Sequence, residues 1–338
     1  MLAISYRFCA GIVHVMISFL CLFYPFPVFK MAPVCDAECQ WNKEQVRRKA
    51  TIQRYCDARS TNTKLNWTEW LKDNSNRHRL RQILVSDKHR LIMCYIPKVA
   101  CTNWKHLFFV LNGGGDLLKQ HETNTIYVLH AKLTVTLQRM SRHLSQEEVI
   151  DRLENYDSLL VVRDPFTRAL SAYQNKFRNA NGAFTRRYRE PIRSSSKNTN
   201  GVHRSNDAAV SWVEFVRYLG DPKFSWPTNE HWARMVDLCF PCQKAYGMIG
   251  LLDTMETDSR FTFNKLGLPA EELMDVVMNR GERFLPHDVT NSSDDKTARE
   301  RFSSLSQGDI DDLVRTYADD FSAFGYNASE FKSAIPTS

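Results

Sequence analysis

Two short segments of the sequence combine a cationic side chain with hydroxyl or amide groups, which together can bind phosphate. In the first, Lys98 precedes Thr102 and Asn103 at the predicted start of a helix. The first backbone N–H groups of a helix lack partners within it and attract anions, and a lysine just before them adds a mobile positive charge. The segment lacks the glycines of a Walker A loop. Taken alone, it is also compatible with an ordinary surface lysine.

The second segment begins with Arg163 and reaches Ser171. Pro165 suits the first turn of a helix, which Asp164 can cap with its side chain. A guanidinium group and a hydroxyl group together can hold a phosphate. The alternative is an arginine paired with a local carboxylate and a serine on a helix surface. Two such segments at equivalent strand ends predict a nucleotide with phosphates at both ends of its ribose.

Each segment follows a short apolar run that predicts a buried strand. These runs span residues 89–96 and 158–162, and a third run covers 246–252. After each of the first two, apolar residues recur at the i, i+3, i+4, i+7 spacing of a helix. Repeated strand–helix units predict an α/β fold, with a central parallel sheet, flanking helices, and ligands at the carboxyl ends of the strands.

Residues 97–105 resemble the 5′-phosphosulfate loop of the Golgi carbohydrate sulfotransferases, and residues 163–171 resemble their 3′-phosphate loop. The similarity is greatest to the branch of chondroitin, dermatan and N-acetylgalactosamine 4-sulfotransferases, and it covers roughly residues 88–330. The two loops are the diagnostic part. Weaker similar pieces are Asn175-Lys176-Phe177, Asn229-Glu230-His231-Trp232, Cys239-Phe240-Pro241-Cys242 and Phe324-Gly325-Tyr326-Asn327.

The resemblance implies a P-loop-related, nucleotide-kinase-like sulfotransferase fold. It also implies the sulfonate donor 3′-phosphoadenosine-5′-phosphosulfate (PAPS), with no metal required. The expected activity is sulfonate transfer to a glycan hydroxyl, with position 4 of N-acetylgalactosamine in chondroitin or dermatan as the expected acceptor. The implied donor contacts are Pro97, Lys98, Val99, Ala100, Cys101, Thr102, Asn103, Arg163, Asp164, Pro165, Phe166, Thr167, Arg168, Ala169, Leu170 and Ser171.

Transfer of a sulfonate group requires stabilisation of the leaving oxygen and a base for the sugar hydroxyl. By analogy with phosphoryl transfer, we expect Lys98 to act at the bridging oxygen. His231, next to Glu230, is the candidate base, because an imidazole titrates near the working pH. A packed structural histidine is the alternative interpretation, and His130 is the reserve candidate.

Residues 178–204 depart from the family pattern. They contain seven lysine or arginine residues and one acid, Glu190, and we expect a long surface loop or insertion. Arg186, Arg187 and Arg189 are the predicted acceptor contacts. A solvated basic loop without a function is the alternative.

Composition and cysteines agree with a folded protein in an oxidising compartment. The chain has 338 residues, 43% of them hydrophobic, and a formal net charge of +7. The excess of basic residues is mild and alone indicates no partner. Seven of the nine cysteines follow residue 29, so we expect disulfides and at least one thiol outside them. For the C-x-x-C at 239–242, a disulfide or buried thiols are favoured over a metal site.

Residues 8–29 contain no charged side chain, and as a helix they would span about 33 Å. An uncleaved signal anchor is favoured over a signal peptide. The expected organisation is a cytoplasmic tail (1–7), a signal anchor (8–29), a lumenal stem (30–80) and a sulfotransferase domain (81–335).

The predicted location is the Golgi membrane, with a lumenal catalytic domain. Asn66, Asn291 and Asn327 begin sequons for glycosylation, which agrees with that location. The expected partners are a glycan acceptor and the membrane, with no nucleic acid. Two other functions remain open at this point, a nucleotide-dependent kinase of the secretory pathway and a non-catalytic glycosaminoglycan-binding protein.

Overall fold

The computed structural model describes residues 35–59, 66–114, 135–195, 209–223, 229–278 and 295–329. The strands are β1 Ile83–Ser86, β2 Leu91–Cys94, β3 Asp157–Val162 and β4 Met248–Leu251. The helices are α1 Ala37–Asp57, α2 Trp67–Trp70, α3 Asn74–Arg79, α4 Cys101–Phe109, α5 Leu137–Met140, α6 Gln146–Asn155, α7 Pro165–Phe177, α8 Ala183–Arg193, α9 Trp212–Leu219, α10 Met235–Cys239, α11 Met255–Lys265, α12 Ala270–Val277, α13 Asp295–Phe302, α14 Gln307–Thr316 and α15 Ala318–Phe324.

Short turns of other helical types complete these elements. Leu80–Gln82 and Leu252–Thr254 are 3₁₀ turns, and Val110–Gly114 is a π turn after α4. The chain divides into two compact units, Met1–Gln40 and Trp41–Ser338. In the first unit, the structure describes residues 35–40, where a disulfide joins Cys35 and Cys39.

The described strands form one sheet in the order β1-β2-β3-β4. β2, β3 and β4 are parallel, with Ile92 opposite Ser158 and Leu160 opposite Ile249. This confirms the predicted α/β class, and all three predicted strands are present. β1 was not predicted, and it pairs antiparallel with β2, so the sheet is mixed. A four-residue turn joins β1 to β2, and such a short link permits only the antiparallel arrangement.

The three parallel strands are buried along most of their length, which is typical of a sheet covered on both faces. Their side chains form a continuous core with those of α4, α6, α11 and α12. A second core, rich in aromatic rings, joins α7, α8, α9, α13 and α14. Because α7 follows β3 directly, the second core is built onto the carboxyl edge of the sheet.

Helix α1 covers the open edge of β4. The side-chain amide of Gln45 accepts a hydrogen bond from the backbone N–H of Ile249 and donates one to its carbonyl, at 2.8 Å each. Arg48 donates to the same carbonyl at 2.7 Å and to Asp258 at 2.8 Å. These side chains satisfy backbone groups that an edge strand otherwise exposes. Within the predicted stem, residues 41–57 therefore pack into the domain core.

Two disulfides within the second unit join distant parts of the chain. Cys56 of α1 is bonded to Cys242, and Cys94 of β2 is bonded to Cys239. The two cysteines of the C-x-x-C thus have different partners, so they form disulfides with other segments. Within the part of the chain that the structure describes, Cys101 is the cysteine left outside a disulfide.

The prediction of a surface loop throughout residues 178–204 is wrong for 183–193, which form α8. Phe184, Tyr188 and Ile192 lie four residues apart, so they share one face of this helix, and they pack into the second core. The arginines occupy the remaining positions. Their density conceals the apolar stripe when the sequence is read for composition alone.

The apolar segment 8–29 lies outside the described residues. No helix among the residues that the structure describes has both the length and the apolar composition needed to cross a membrane.

Replacing Arg48 by alanine is expected to destabilise the fold strongly, because it leaves the buried carboxylate of Asp258 without its ion-pair partner. The two side chains are 6% and 5% exposed. We expect a loss of about 3 kcal/mol in the free energy of unfolding, measured by chemical denaturation. The control is Arg47→Ala, whose side chain is 58% exposed, with an expected loss below about 1 kcal/mol. Equal losses in the two variants would contradict this account of the α1–β4 contact.

Candidate functional site

The two predicted phosphate-binding segments meet at the carboxyl edge of the sheet. β2 and β3 are neighbouring parallel strands, so the residues that follow Cys94 and Val162 emerge side by side. The guanidinium of Arg163 donates a hydrogen bond from Nη1 to the backbone carbonyl of Lys98 at 3.0 Å. A direct contact therefore joins the two segments that the sequence placed 65 residues apart.

The segment before α4 has an unusual backbone. Lys98 and Ala100 have φ angles of 71° and 50°, in the left-handed region that residues with a Cβ rarely adopt. Lys98 is half-buried and Val99 is buried. Helix α4 begins at Cys101, and among the described residues no side chain caps its start. The start of a helix attracts anions through its first N–H groups. The turn before α4 is strained, because Lys98 and Ala100 both have positive φ angles.

The side chains of the first turn of α4 differ in what they contact. Asn103 donates from its side-chain amide to the carbonyl of Val277 on α12 at 2.7 Å. This bond occupies one of the two N–H donors of the side-chain amide. Cys101 and Thr102 are half-buried on the same turn.

The start of α7 follows the sequence prediction. Asp164 caps the helix by accepting from the backbone N–H of Thr167 at 2.8 Å, and Pro165 lies in the first turn. Burial raises the pKa of Asp164 to about 6. Arg163 is 4% exposed, and burial lowers its pKa to about 10. Both charged groups are therefore held largely away from water beside Lys98.

Further along α7, the side chains point into the protein. Phe166, Ala169 and Leu170 belong to the second core. Ser171, the predicted partner of a 3′-phosphate, is 2% exposed. These residues fix the position of the helix start, where Arg163 and Asp164 lie.

Arg168 is a fully buried cation that binds three backbone carbonyls on two segments of the chain. Its guanidinium donates to the carbonyls of Pro97 at 3.1 Å, Ala233 at 2.6 Å and Glu230 at 2.9 Å. Burial lowers its pKa. The similarity to the sulfotransferases had placed this residue among the donor contacts. In the structure it fixes residues 230–233 against the segment that carries Lys98.

Glu230 is held from the side of β1. Its carboxylate accepts a hydrogen bond from Nε2 of Gln82 at 2.8 Å and lies 3.5 Å from the guanidinium of Arg81. The backbone carbonyl of the same residue is bound by Arg168. Glu230 is thus anchored at both its side chain and its main chain, which orients the following residue, His231.

The hydrogen bonds around His231 define its tautomer. The side-chain oxygen of Asn229 accepts from the backbone N–H of His231 at 3.0 Å and lies 2.6 Å from Nδ1 of the ring. Asn229 also donates through its amide nitrogen to the hydroxyl of Tyr188 at 3.0 Å. Because the atom facing Nδ1 is an acceptor, Nδ1 carries the proton and Nε2 keeps its lone pair.

The environment of His231 keeps the imidazole neutral. Burial, followed by the nearby positive charges of Lys176, Lys98, Arg168 and Lys105, lowers its pKa to about 2. The positive charge of Lys98 therefore acts on His231. A neutral imidazole with a free Nε2 can accept a proton, as a general base must.

An aromatic wall from α8 lies against this histidine. The ring of Phe184 meets the ring of His231 edge-on, with 5.2 Å between centroids, and it stacks on Tyr188 at 5.9 Å. The ammonium group of Lys176 lies 4.6 Å from the centre of the Phe184 ring. Helix α8, which carries the predicted acceptor contacts, is thus in direct contact with the candidate base.

The three predicted acceptor arginines lie on the outer part of α8 and contact different groups. Arg186 bonds to the carbonyl of Asn181, and Arg189 donates to the carbonyl of Ala180 at 2.7 Å. Arg187 is exposed, with its guanidinium 5.5 Å from the centre of the Tyr188 ring.

Several residues at the site were not identified from the sequence. Asn229 and Tyr188 orient His231, and Gln82 and Arg81 hold Glu230. Asn229 stood within a segment similar to the family, which was a usable signal. Tyr326 is another such residue. Its side chain is half-buried near Arg163 and Asp164, and burial of its hydroxyl group raises its pKa well above the usual value.

The remaining predicted residues divide between exposed and undescribed positions. Asn66 and Asn327 are exposed, and Asn66 caps α2 through its side-chain oxygen. Asn291 and the reserve base His130 lie outside the described residues. Within those residues, no group of histidine, cysteine or carboxylate side chains has the arrangement of a metal site.

Comparisons with known proteins identify the family of the chain. The profile described as "Sulfotransferase family" matches residues 81–327. Carbohydrate sulfotransferase 11 of Rattus norvegicus is 33% identical over 256 residues, which cover 75% of this chain and 69% of the relative. Carbohydrate sulfotransferase 10 of Homo sapiens is 32% identical over 258 residues, 75% of this chain and 68% of the relative.

A third relative extends the match. Carbohydrate sulfotransferase 12 of Mus musculus is 29% identical over 314 residues, 86% of this chain and 70% of the relative. No solved structure matches the chain. The profile covers both predicted phosphate-binding segments, α8, and the segment that carries His231. The chain therefore belongs to the sulfotransferase family and groups with the carbohydrate sulfotransferases within it.

Proposed function

We propose that the protein transfers a sulfonate group from PAPS to a hydroxyl group of a glycan. The observation that carries the proposal is the hydrogen bond from Arg163 to the carbonyl of Lys98, which brings two anion-binding segments together at the sheet edge. PAPS has phosphate groups at the 5′ and 3′ positions of one ribose, so it requires two such segments side by side. Membership in the sulfotransferase family supports this donor.

On the donor side, we assign the start of α4 and Lys98 to the 5′-phosphosulfate. Negative charge grows on the bridging oxygen as the bond to sulfur breaks, and a lysine next to the N–H groups of a helix start stabilises that charge. We assign Arg163 and Ser171 to the 3′-phosphate. In this arrangement the protein contributes mainly positioning and charge, as in phosphoryl transfer.

On the acceptor side, we assign His231 as the base that takes the proton of the sugar hydroxyl. Its Nε2 has a free lone pair because Asn229 accepts the proton on Nδ1. We assign Glu230 a supporting role, since its carboxylate is bound to Gln82 and Arg81 and its main chain to Arg168. The geometry of this segment supports the role of His231 as the base over the alternative of a purely structural histidine.

The proposed acceptor is position 4 of N-acetylgalactosamine in chondroitin or dermatan. Support comes from the similarity of both loops to that branch and from the arginines of α8, which lie beside the aromatic wall next to His231. Uronate and sulfate groups along such a chain are the anions that Arg186, Arg187 and Arg189 would contact.

We also propose that the protein is a single-pass Golgi membrane protein with residues 8–29 as its signal anchor and residues 81–335 as its lumenal catalytic domain. Disulfides persist in the oxidising lumen of the secretory pathway. The described residues contain three of them. The exposed asparagines Asn66 and Asn327 are accessible to glycosylation.

The purified protein incubated with radiolabelled PAPS and desulfated chondroitin tests the proposal directly. Label in the polysaccharide, at position 4 of N-acetylgalactosamine after digestion to disaccharides, is the expected result. Transfer from ATP with Mg²⁺ instead would favour a kinase, and binding without transfer would favour a non-catalytic glycosaminoglycan-binding protein. Either of these results would refute the sulfonate-transfer proposal.

Lys98→Ala is expected to reduce kcat by at least a hundredfold, because the leaving oxygen loses its main cationic partner. Lys88→Ala is the matched control, since Lys88 lies in the turn between β1 and β2, at the opposite edge of β2. Sulfonate transfer and thermal denaturation are measured for both variants. An active and folded Lys98→Ala protein would refute the assignment of Lys98.

Asn229→Asp is expected to move the acidic limb of the pH profile of kcat/KM to higher pH. A carboxylate next to Nδ1 favours the protonated imidazole, so the pKa of His231 rises, by about 1–3 units for a close opposite charge. A protonated His231 cannot accept a proton, so activity falls as the pH drops through the raised pKa.

The control for this prediction is the double variant Asn229→Asp/His231→Ala, together with His231→Ala alone. Both are expected to retain donor binding and to lose most of the transfer activity. If any residual activity in the double variant shows the same shifted limb, or if Asn229→Asp has an unshifted profile, His231 is not the base.

A further inference from the structure

Tyr326, near the end of the described chain, lies where the two cores meet. It follows Gly325, which ends α15 with a φ angle of 73°. The side chain of Tyr326 is half-buried and packs against both the core of the sheet and the aromatic second core. The ring is therefore fixed from two sides.

The segment that carries Tyr326 is itself held in place. Gly325 lies against α1, so that a Cβ at this position would be 3.5 Å from the side chain of Thr51. Earlier in the same segment, the buried carboxylate of Asp320 accepts hydrogen bonds from two backbone N–H groups of α10, at 2.9 and 3.0 Å. These contacts tie the segment to α1 and α10, and they fix the position from which Tyr326 projects.

The hydroxyl group of Tyr326 is buried and has no hydrogen-bond partner among the residues that the structure describes. Burial, followed by the nearby negative charges of Asp253 and Asp164, raises the pKa of this hydroxyl well above the usual value, so it keeps its proton. A buried hydroxyl without a partner costs free energy, and folded proteins satisfy most such groups. Tyr326 thus offers a neutral hydrogen-bond donor that the described part of the protein does not use.

The charged groups around this hydroxyl lie at the carboxyl ends of two neighbouring strands. Arg163 and Asp164 follow β3, and Asp253 lies in the turn after β4. The pKa of Arg163, which burial lowers, responds in turn to both carboxylates and to Tyr326. Because β3 and β4 are parallel, these groups share the edge of the sheet that carries the proposed donor site.

We propose that Tyr326 is a third group of the 3′-phosphate site and donates a hydrogen bond from its hydroxyl to that phosphate. The inference rests on the proposed function, which assigns Arg163 and Ser171 to the same phosphate. It extends the donor site from the two loops to the segment after α15.

The physical argument concerns charge and order. Asp164 and Asp253 repel an anion beside Arg163, so a further donor helps to hold the phosphate there. A hydrogen bond to a charged group is stronger than one between neutral groups. Since the ring of Tyr326 is already packed between two cores, its hydroxyl loses little freedom when a phosphate binds.

The test compares Tyr326→Phe with Tyr246→Phe in the full chain. The control also removes a buried tyrosine hydroxyl, but one that donates to the carbonyl of Cys239 at 2.9 Å. Tyr246 precedes β4, at the opposite edge of the sheet from Asp253. Calorimetry measures the binding of 3′-phosphoadenosine-5′-phosphate and of adenosine 5′-phosphate, which lacks the 3′-phosphate. Thermal denaturation is measured for the ligand-free proteins.

For Tyr326→Phe, the Kd for 3′-phosphoadenosine-5′-phosphate is expected to rise about tenfold, because a hydrogen bond to a charged group is lost. The Kd for adenosine 5′-phosphate and the Tm should stay unchanged, since the hydroxyl has no partner within the described protein. Tyr246→Phe should show the reverse, with a Tm lower by about 2–4 °C and unchanged affinity for both nucleotides.

Two results for Tyr326→Phe would overturn the inference. One is a lower Tm with unchanged nucleotide affinities, which would give the tyrosine a purely structural role. The other is an equal loss of affinity for the two nucleotides, which would place the hydroxyl away from the 3′-phosphate.

The unmodified protein separates this inference from the proposed function. If it does not bind 3′-phosphoadenosine-5′-phosphate more tightly than adenosine 5′-phosphate, the proposed function fails and the inference fails with it. If it has that preference and Tyr326→Phe keeps it in full, the inference alone fails.

Discussion

The buried guanidinium of Arg168 holds the candidate functional site together. Removing a cation from water is costly, so it must be compensated by good hydrogen bonds. Here the compensation comes from three backbone carbonyls, those of Pro97, Glu230 and Ala233. Each carbonyl belongs to a segment outside the helices and strands, either the turn after β2 or the segment before α10. The relative position of Lys98 and His231 therefore depends on the side chain of Arg168.

Arg163 has a similar role between the two donor segments. Its bond to the carbonyl of Lys98 supports a turn in which Lys98 and Ala100 have positive φ angles. Such a backbone persists only where the surroundings stabilise it. Arg163, just before α7, and Arg168, within it, thus bind the same short turn, at Lys98 and Pro97 respectively. Burying both cations is costly, which is consistent with a site whose geometry is fixed before its ligands bind.

The sequence predicted the parts of the site that depend on local signals. Apolar runs located β2, β3 and β4, and Asp164 followed by Pro165 located the start of α7. Features that depend on tertiary packing could not be predicted from local signals. The apolar stripe of α8 was obscured by the arginines around it. Strand β1 depends on its pairing with β2. The disulfide partners of the C-x-x-C cysteines lie far away in the chain. The contacts of Asn229 with His231 and Tyr188 also appear only when α8 packs against residues 229–233.

The charges around His231 link the two halves of the proposed reaction. Burial and the nearby cations Lys176, Lys98, Arg168 and Lys105 lower the pKa of His231 to about 2, which makes it a weak base in the protein alone. PAPS carries several negative charges, and its proposed position next to Lys98 would offset part of that positive field. The basicity of His231 would then rise only once the donor is bound, since an adjacent anion favours the protonated imidazole. A base that strengthens with donor binding favours a sequence in which PAPS occupies the site before the sugar hydroxyl loses its proton.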